Sequence, residues 1–169
     1  GMRVSEVLHL NFSDVDLDAG ILTIRKSKFN KDRLVPLAPT MTARLRKYAS
    51  VLGEASVFFP KAGGKPYNKG TVYYFFRQLL WKCSISHGGR GKGPRLHDLR
   101  HSFAVHRLER WYRQGADLGV KLPLLAAYMG HKNLVSTQFY LHITPEIFPD
   151  IVNRFEQFAG HVIPRRLEK

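Results

Sequence analysis

The spacing of apolar residues predicts a mainly helical chain with one small sheet. Apolar positions recur three and four residues apart in several stretches, which is the period of an amphipathic helix. We expect helices at 1–10, from 39 to about 52, from 71 to about 82, from 97 to about 113, at 123–129, after Asn133 and from Thr144 to Phe158. Runs 21–25 and 34–37 predict two strands, and the Asp- and Ser-rich segment 11–20 before them predicts a turn. The predicted fold class is therefore α+β, mainly α-helical, with a small antiparallel hairpin at one edge.

The same spacing predicts which side chains are buried. Candidate inward positions follow the helical period in three helices after the hairpin: Leu45, Tyr48, Ala49 and Leu52; Val72, Phe75, Leu79 and Leu80; Leu99, Phe103, Leu108 and Trp111. In the helix after Asn133 the apolar positions are Leu134, Val135 and Phe139. The aromatic run Tyr73, Tyr74, Phe75, Phe76 and Trp81 could stack on nucleic-acid bases, but so dense a run is more typical of a core.

The segment 129–142, MGHKNLVSTQFYLH, is the most specific part of the pattern. Pro123 can open a short helix at its first turn, and Gly130 is the residue type that ends one with a left-handed cap. His131 then lies at a tight corner, and Asn133 can cap a second short helix that carries Tyr140 near its far end. These local signals predict that His131 and Tyr140 return towards one another.

Composition limits the class of partner. The 169 residues suit one domain, and 27 Lys and Arg against 13 Asp and Glu give a net charge of +14. A polyanion, and nucleic acid first, is the expected partner of so basic a chain. The lone Cys83 excludes an internal disulfide, and no apolar run approaches the ~20 residues that span a membrane. We expect a cytoplasmic protein, and because the chain begins inside a helical pattern we expect a preceding segment.

Two basic segments are candidate DNA contacts. The hairpin tip would project positive charge into solvent or onto a phosphate from Lys26, Lys28, Lys31 and Arg33. The glycine-rich segment 84–95 has a permissive backbone and charge of one sign, and could become ordered on a phosphate backbone through Arg90, Lys92 and Arg95.

The cationic and nucleophilic residues together suit the cleavage of a phosphodiester by a side-chain nucleophile. Cleaving a phosphodiester without water requires a nucleophile, groups that neutralise the phosphoryl oxygens, and a proton for the leaving oxygen. Two arginines can clamp the oxygens, histidine can serve as base for a tyrosine, lysine can protonate the leaving oxygen, and no metal or other cofactor is needed. The candidates are Arg3, a lysine of the hairpin tip, His97, Arg100, His131 and Tyr140.

The segments GMRVSEV, KFNKDRLVPL, RLHDLRHSFAVH and MGHKNLVSTQFYLH resemble, in order and spacing, the catalytic domain of tyrosine recombinases, also called phage-type integrases. The resemblance covers nearly the whole chain, 1–169, and implies the fold of that domain, without the family's amino-terminal DNA-clamping domain. It implies catalytic roles for Arg3, Lys28, His97, Arg100, His131 and Tyr140, with Lys26 as the alternative lysine. The segment from Gly115 to Gly130 is a few residues longer than the usual pattern.

The resemblance also implies a reaction and partners. Tyr140 would attack a phosphate of double-stranded DNA to give a 3′-phosphotyrosine, which a 5′-hydroxyl from a partner strand then resolves, for integration, excision or transposition. Other protomers would join in a tetramer on DNA, with the last helix docked on a neighbour. Alternatives are a type IB topoisomerase, a DNA-binding module without catalysis, and a metal site on His97 and His101, with His106 as a further ligand. The alternative role of His101, His106 and His142 is packing or hydrogen bonding.

Overall fold

The computed structural model describes residues 1–25, 32–53, 55–86, 88–89 and 92–143. The predicted hairpin-tip residues Lys26, Lys28 and Lys31, the predicted DNA contact Arg90, and the predicted last helix lie outside these ranges. The chain divides into two compact units, residues 1–100 with 127–130, and residues 101–126 with those from 131 onward. Each unit is described by itself below.

The first unit is built on a three-stranded antiparallel sheet. Its elements in chain order are α1 (Val4–Leu8), a 3-10 turn (Phe12–Asp14), β1 (Val15–Asp16), β2 (Ile21–Ile24), β3 (Arg33–Pro36), α2 (Pro39–Ala49) and α3 (Lys69–Lys82). The predicted β2–β3 hairpin is confirmed, with Leu22 opposite Val35. The turn predicted at 11–20 is confirmed for 17–20 only, because Val15 pairs with Leu22 and adds an edge strand before it. Two residues are too few for an alternating pattern, so only the pairing reveals this strand.

The core of the first unit lies against this sheet. It consists of the buried side chains Leu10, Leu22, Ile24, Val35 and Phe58, with Leu45, Tyr48 and Ala49 of α2 packed against them. The stripe predicted on α2 is thereby confirmed for these three residues. Segment 56–58 joins the same core because the Phe58 amide donates to the Leu10 carbonyl at 2.7 Å.

Helix α3 departs from the predicted burial. Of its four candidate core residues, Leu80 is buried, whereas Phe75 is 51% and Leu79 is 59% exposed. The aromatics Tyr73, Tyr74 and Trp81 are also exposed, so the prediction of an aromatic core is wrong. The reason is geometric: apolar residues surround this helix on every side, and one face alone can pack against a core.

The second unit contains most of α4 (Leu96–Arg113) and α5 (Leu118–Met129), and all of α6 (Val135–Ile143). Leu108 of α4 is fully buried as predicted, whereas Leu99, which belongs to the first unit, is 58% exposed. Helix α5 begins five residues before the predicted start at Pro123, and the proline lies inside it. Asp117 supports this earlier start, since its carboxylate accepts from the Gly119 amide at 2.8 Å.

Burial explains why α5 tolerates an internal proline. A proline inside a helix removes one backbone hydrogen bond and is unfavourable by about 3 kcal/mol. Leu118, Leu122 and Leu125 are all at most 5% exposed and recur on one face of the helix. Burying three leucines stabilises the helix by about 1.5–3 kcal/mol each, which outweighs the lost bond.

The apolar positions that the sequence marks on α6 are not its buried positions. Leu134, Val135 and Phe139 are between 40% and 60% exposed, whereas Thr137 and Tyr140 are buried. Asn133 caps the helix as predicted, because its side-chain oxygen accepts from the Ser136 hydroxyl at 3.1 Å. Tyr140 is therefore an inward-facing residue in the middle of the helix, rather than a residue at its free end. No helix in the described part of the chain is long and apolar enough to cross a membrane.

Candidate active site

The end of α5 carries the local geometry that the sequence predicts. Gly130 has a left-handed backbone with φ +66°, which confirms the predicted glycine cap. The His131 amide donates to the Ala126 carbonyl at 2.9 Å, and the Gly130 amide donates to the Ala127 carbonyl at 3.0 Å. This is the Schellman arrangement, in which the chain turns sharply and the last carbonyls of the helix face other partners.

Three arginines bind consecutive carbonyls at this helix end within the first unit. Arg33 Nε donates to Tyr128 O at 2.9 Å, Arg100 Nη2 to Met129 O at 2.6 Å, and Arg3 Nη2 to Gly130 O at 2.7 Å. Carbonyls at a helix carboxyl end carry partial negative charge, so guanidinium groups are favourable there. The structure thus brings the predicted catalytic residues Arg3 and Arg100 to neighbouring positions, although 97 residues of chain separate them.

Glu6 holds two of these arginines in place. Its carboxylate, 5% exposed, receives two hydrogen bonds from Arg33 at 2.7 and 2.9 Å and one from Arg3 Nη1 at 2.9 Å. The Arg3 amide also donates to Glu6 at 2.8 Å, which caps the start of α1. Burial raises the pKa of the Glu6 carboxyl, but the hydrogen bonds from Arg33 and Arg3 outweigh this and lower the pKa to about 2. Glu6 is therefore charged at neutral pH and fixes both guanidinium groups.

Arg33 does not project from the hairpin tip as predicted. It is the first residue of β3, and its side chain is 10% exposed because its guanidinium is bound to Glu6 and Tyr128. The prediction that its charge extends outwards is wrong. Of the other described DNA-contact candidates, Lys92 is exposed, and Arg95 is 66% exposed with its guanidinium on Asp98 at 2.8 Å.

His97 and Arg100 occupy the first turns of α4 with different exposure. His97 is exposed, whereas Arg100 is 4% exposed and donates through Nη1 to the Gly1 carbonyl at 2.7 Å as well as to Met129. A cavity of about 690 Å³ in the same unit is lined by Arg3 and Arg25 together with the carboxylates Glu6 and Asp14. Its wall is thus of mixed charge, rather than purely basic.

The second unit contains a cluster around Tyr140. Tyr140 is 3% exposed, and its hydroxyl oxygen lies 3.2 Å from Nδ1 of His101. The ring of His131 is stacked on Tyr140, with ring centres 6.1 Å apart and planes inclined by 22°. His131 Nδ1 is 2.7 Å from the hydroxyl of Thr137, which is fully buried. The predicted approach of His131 to Tyr140 is confirmed.

Glu6, His101 and Thr137 are the residues of these clusters that the sequence analysis did not select as site residues. Glu6 had a usable signal, because an acidic residue three positions after a helix cap commonly binds the cap backbone. Thr137 precedes Tyr140 by three residues on one helix, but only the position of His131 makes it meaningful. Among the described residues, no three His, Cys, Asp or Glu side chains are grouped to hold a metal ion.

Comparison with known proteins gives a family match and related structures. Residues 1–146 match the model of the phage integrase family. Tyrosine recombinase XerD of Staphylococcus saprophyticus is 32% identical over 94% of this chain and 52% of its own length. The crystal structure of XerA recombinase superposes with a TM-score of 0.67 at 28% identity, over 98% of this chain and 53% of that one. That of XerH site-specific recombinase bound to palindromic difH substrate has a TM-score of 0.64 at 24% identity, over 94% and 41%.

The chain spans about half the length of the relatives it matches. Since the family model covers all but the last 23 residues of the chain, the chain belongs to the phage integrase family.

Proposed function

We propose that this chain is the catalytic domain of a site-specific DNA recombinase that breaks and rejoins DNA strands through a 3′-phosphotyrosine intermediate. Membership of the phage integrase family together with one geometric observation supports this. That observation is the hydroxyl of Tyr140, held 3.2 Å from an imidazole nitrogen in a buried cluster. A phenol needs such a partner, since its pKa of about 10 keeps it protonated at neutral pH.

In the proposed reaction the Tyr140 oxygen forms a bond to a DNA phosphorus and the bond from phosphorus to the 5′-oxygen breaks. Arg3 and Arg100 neutralise the two non-bridging oxygens, a task that suits the guanidinium fork. Their anchoring to Gly130 and Met129 supports this, because donors fixed before reaction need no reorganisation during it. His97 and His131 assist on the phosphate, and Lys28, or Lys26, supplies the proton to the leaving oxygen.

The second half of the reaction reverses the first with a different strand. A 5′-hydroxyl from a partner strand attacks the phosphotyrosine and releases Tyr140, so the bond energy is retained and no nucleotide cofactor is consumed.

We propose double-stranded DNA and further protomers of the same protein as partners, in a tetramer with residues after Thr144 docked on a neighbour. Lys92 and Arg95 are proposed as DNA contacts because they are exposed, together with Lys31 and Arg90 on the basis of sequence. The proposed location is the cytoplasm of a prokaryote, on the nucleoid.

Removing one oxygen atom tests this proposal. Tyr140→Phe should abolish covalent attachment to DNA and leave non-covalent binding nearly unchanged, because the ring and its packing remain. The measurement uses a pool of nicked duplexes with randomised flanking sequence, in which a cleaved fragment diffuses away and traps the adduct. A denaturing gel then separates the protein–DNA adduct from free DNA.

Tyr112→Phe is the matched control, since it removes the hydroxyl of a second tyrosine, which is partly buried. We expect it to form the adduct as the parent protein does. An undiminished adduct with Tyr140→Phe would show that another residue is the nucleophile, and no adduct with the parent protein on any member of the pool would refute the proposed function.

A further inference from the structure

His101 has a ring nitrogen next to the hydroxyl of Tyr140. Its Nδ1 is 3.2 Å from the Tyr140 oxygen, and the two ring centres are 5.5 Å apart with planes inclined by 57°. A separation of 3.2 Å is within hydrogen-bonding range, and the tautomer of the imidazole decides whether Nδ1 accepts or donates. Both residues belong to the second unit, on α4 and α6.

His131 meets the same tyrosine in a different way. Its ring lies nearly parallel to the phenol ring, with the ring centres 6.1 Å apart. Its Nδ1 is 2.7 Å from the hydroxyl of Thr137, a fully buried residue that holds the ring in this orientation. His131 Nδ1 is thus next to the Thr137 hydroxyl, and His101 Nδ1 is next to the Tyr140 hydroxyl.

We propose that His101 is the general base that accepts the hydroxyl proton of Tyr140, an inference that rests on the proposed role of Tyr140 as nucleophile. As the bond from oxygen to phosphorus forms, the phenol proton moves to His101 Nδ1, and the 5′-oxygen leaves with a proton from a different group. In the rejoining step the tyrosine oxygen departs from phosphorus and takes the proton back from the imidazolium. His101 is therefore neutral before and after each cycle, with its resting proton on Nε2.

The protonation of His101 can be measured without DNA. Nitrogen-15 NMR of the imidazole at about pH 8, above the ordinary histidine pKa of about 6.5, distinguishes a bare Nδ1 from one that carries hydrogen. We expect a bare Nδ1 and a proton on Nε2. A proton on Nδ1 would mean that the imidazole donates to the phenol oxygen, and it would overturn the proposal whatever the outcome with DNA.

Two substitutions separate proton transfer from mere positioning. His101→Ala removes the base, and His101→Asn keeps a hydrogen-bonding group near the place of Nδ1 that cannot accept a proton at neutral pH. A general base contributes roughly 10²–10⁴-fold, so single-turnover formation of the Tyr140–DNA adduct should slow by that factor in both variants. Recovery to near the parent rate in His101→Asn would show that a hydrogen bond suffices and would overturn the proposal.

His106→Ala is the matched control, since His106 is an exposed histidine of the same helix. It should leave adduct formation unchanged. Parent-like cleavage by His101→Ala would overturn the role of His101 while the proposed function stands. Absence of adduct with the parent protein would refute the function itself, so the two failures are distinguishable.

A sulfur substrate tests which proton His101 moves. When the 5′-bridging oxygen is replaced by sulfur, the leaving group departs without needing a proton, and only activation of the nucleophile remains demanding. The slow cleavage by His101→Ala should therefore persist on this substrate. Restoration of the rate by sulfur would place His101 on the leaving group and would overturn the proposal.

Discussion

Glu6 holds the side chains of two arginines in place. Its carboxylate binds Arg3 and Arg33 together, and its pKa of about 2 lies well below the ordinary value of 4.5. A group whose pKa falls on folding stabilises the folded state above its unfolded pKa. That stabilisation is lost as pH decreases from about 4.5 towards 2, and the shift corresponds to about 3 kcal/mol.

Glu6→Gln should lower the free energy of unfolding by about 3 kcal/mol at pH 7, because two partly buried guanidinium groups lose their counter-charge. Urea unfolding at pH values between 7 and 3 would measure this. The parent protein should lose stability over the acid range, and the variant should lose less. Some dependence on pH should remain in the variant because of Asp14. Burial raises the pKa of Asp14, but its hydrogen bond from Arg25 outweighs this and lowers the pKa.

Glu109→Gln is a suitable control for the substitution at Glu6. Glu109 forms one ion pair with Arg113, which is 76% exposed, and exposed pairs of this kind contribute about 0.3–0.5 kcal/mol. A similar loss in the two variants would contradict the central place assigned to Glu6.

At the scale of elements, the carboxyl end of α5 organises the arginine cluster. A helix end leaves carbonyls without helical partners, and here Arg33, Arg100 and Arg3 each bind one of them. This is possible because Gly130 turns the chain away and because no side chain fills the space. A Cβ atom at Gly130 would lie 2.9 Å from Arg33 Nη1.

Gly130→Ala should therefore be more destabilising than the same change at Gly115. Both glycines end helices with nearly the same φ, +66° and +68°, but a Cβ at Gly115 meets nothing within 4 Å. We expect about 1–2 kcal/mol at Gly115 from the left-handed backbone alone. Gly130→Ala should lose about 1–3 kcal/mol more, since Arg33 must leave its charged partner.

Thermal or urea unfolding of the two glycine variants measures this difference. Equal losses would mean that Arg33 gives way to the new methyl group without cost, and that the glycine is required for its backbone conformation alone.

Helix α3 shows that the hydrophobicity of a helix does not by itself say which of its residues are buried. It exposes Tyr74, Phe75, Leu79 and Trp81 within the described part of the chain. Its apolar residues are too many for one face, so hydrophobicity by itself did not identify which of them the sheet would cover. The packed sheet core is already filled by residues such as Phe58 and Val35.

At the scale of the whole molecule, charge is the dominant property. The net charge is +14, and several of the acidic residues are paired with arginines inside the units, among them Glu6, Asp14 and Asp98. Exposed lysines such as Lys61, Lys69 and Lys92 therefore face solvent with little compensation. Such a surface attracts a polyanion largely by releasing its counterions.

Binding of the chain to duplex DNA should accordingly weaken steeply with salt. The logarithm of the affinity should fall linearly with the logarithm of the salt concentration, with a slope of about −0.9 for each phosphate contact. Fluorescence anisotropy of a labelled duplex, titrated from roughly 50 to 200 mM salt, measures this slope.

Tyr140→Phe should give the same slope as the parent protein, because its hydroxyl carries no charge. An affinity that is independent of salt would refute the electrostatic account of DNA binding.

The sequence by itself determined the short-range features of this protein. The strands of the hairpin, the stripe of α2 and the glycine turn at Gly130 follow from residue spacing and backbone chemistry within a few positions. The family could also be identified from the sequence, since each segment that resembles it is a continuous run of residues. These features need no knowledge of what lies opposite in space.

Only the tertiary structure decided the contacts between distant residues. It directed Arg33 inwards to Glu6, oriented α6 so that Tyr140 is buried, extended α5 through Pro123 and brought His101 to the Tyr140 hydroxyl. Each outcome depends on partners far along the chain, and the free energy of burying or pairing them outweighs local preference. His101, which the sequence analysis left as a packing or hydrogen-bonding residue, thereby becomes the candidate base.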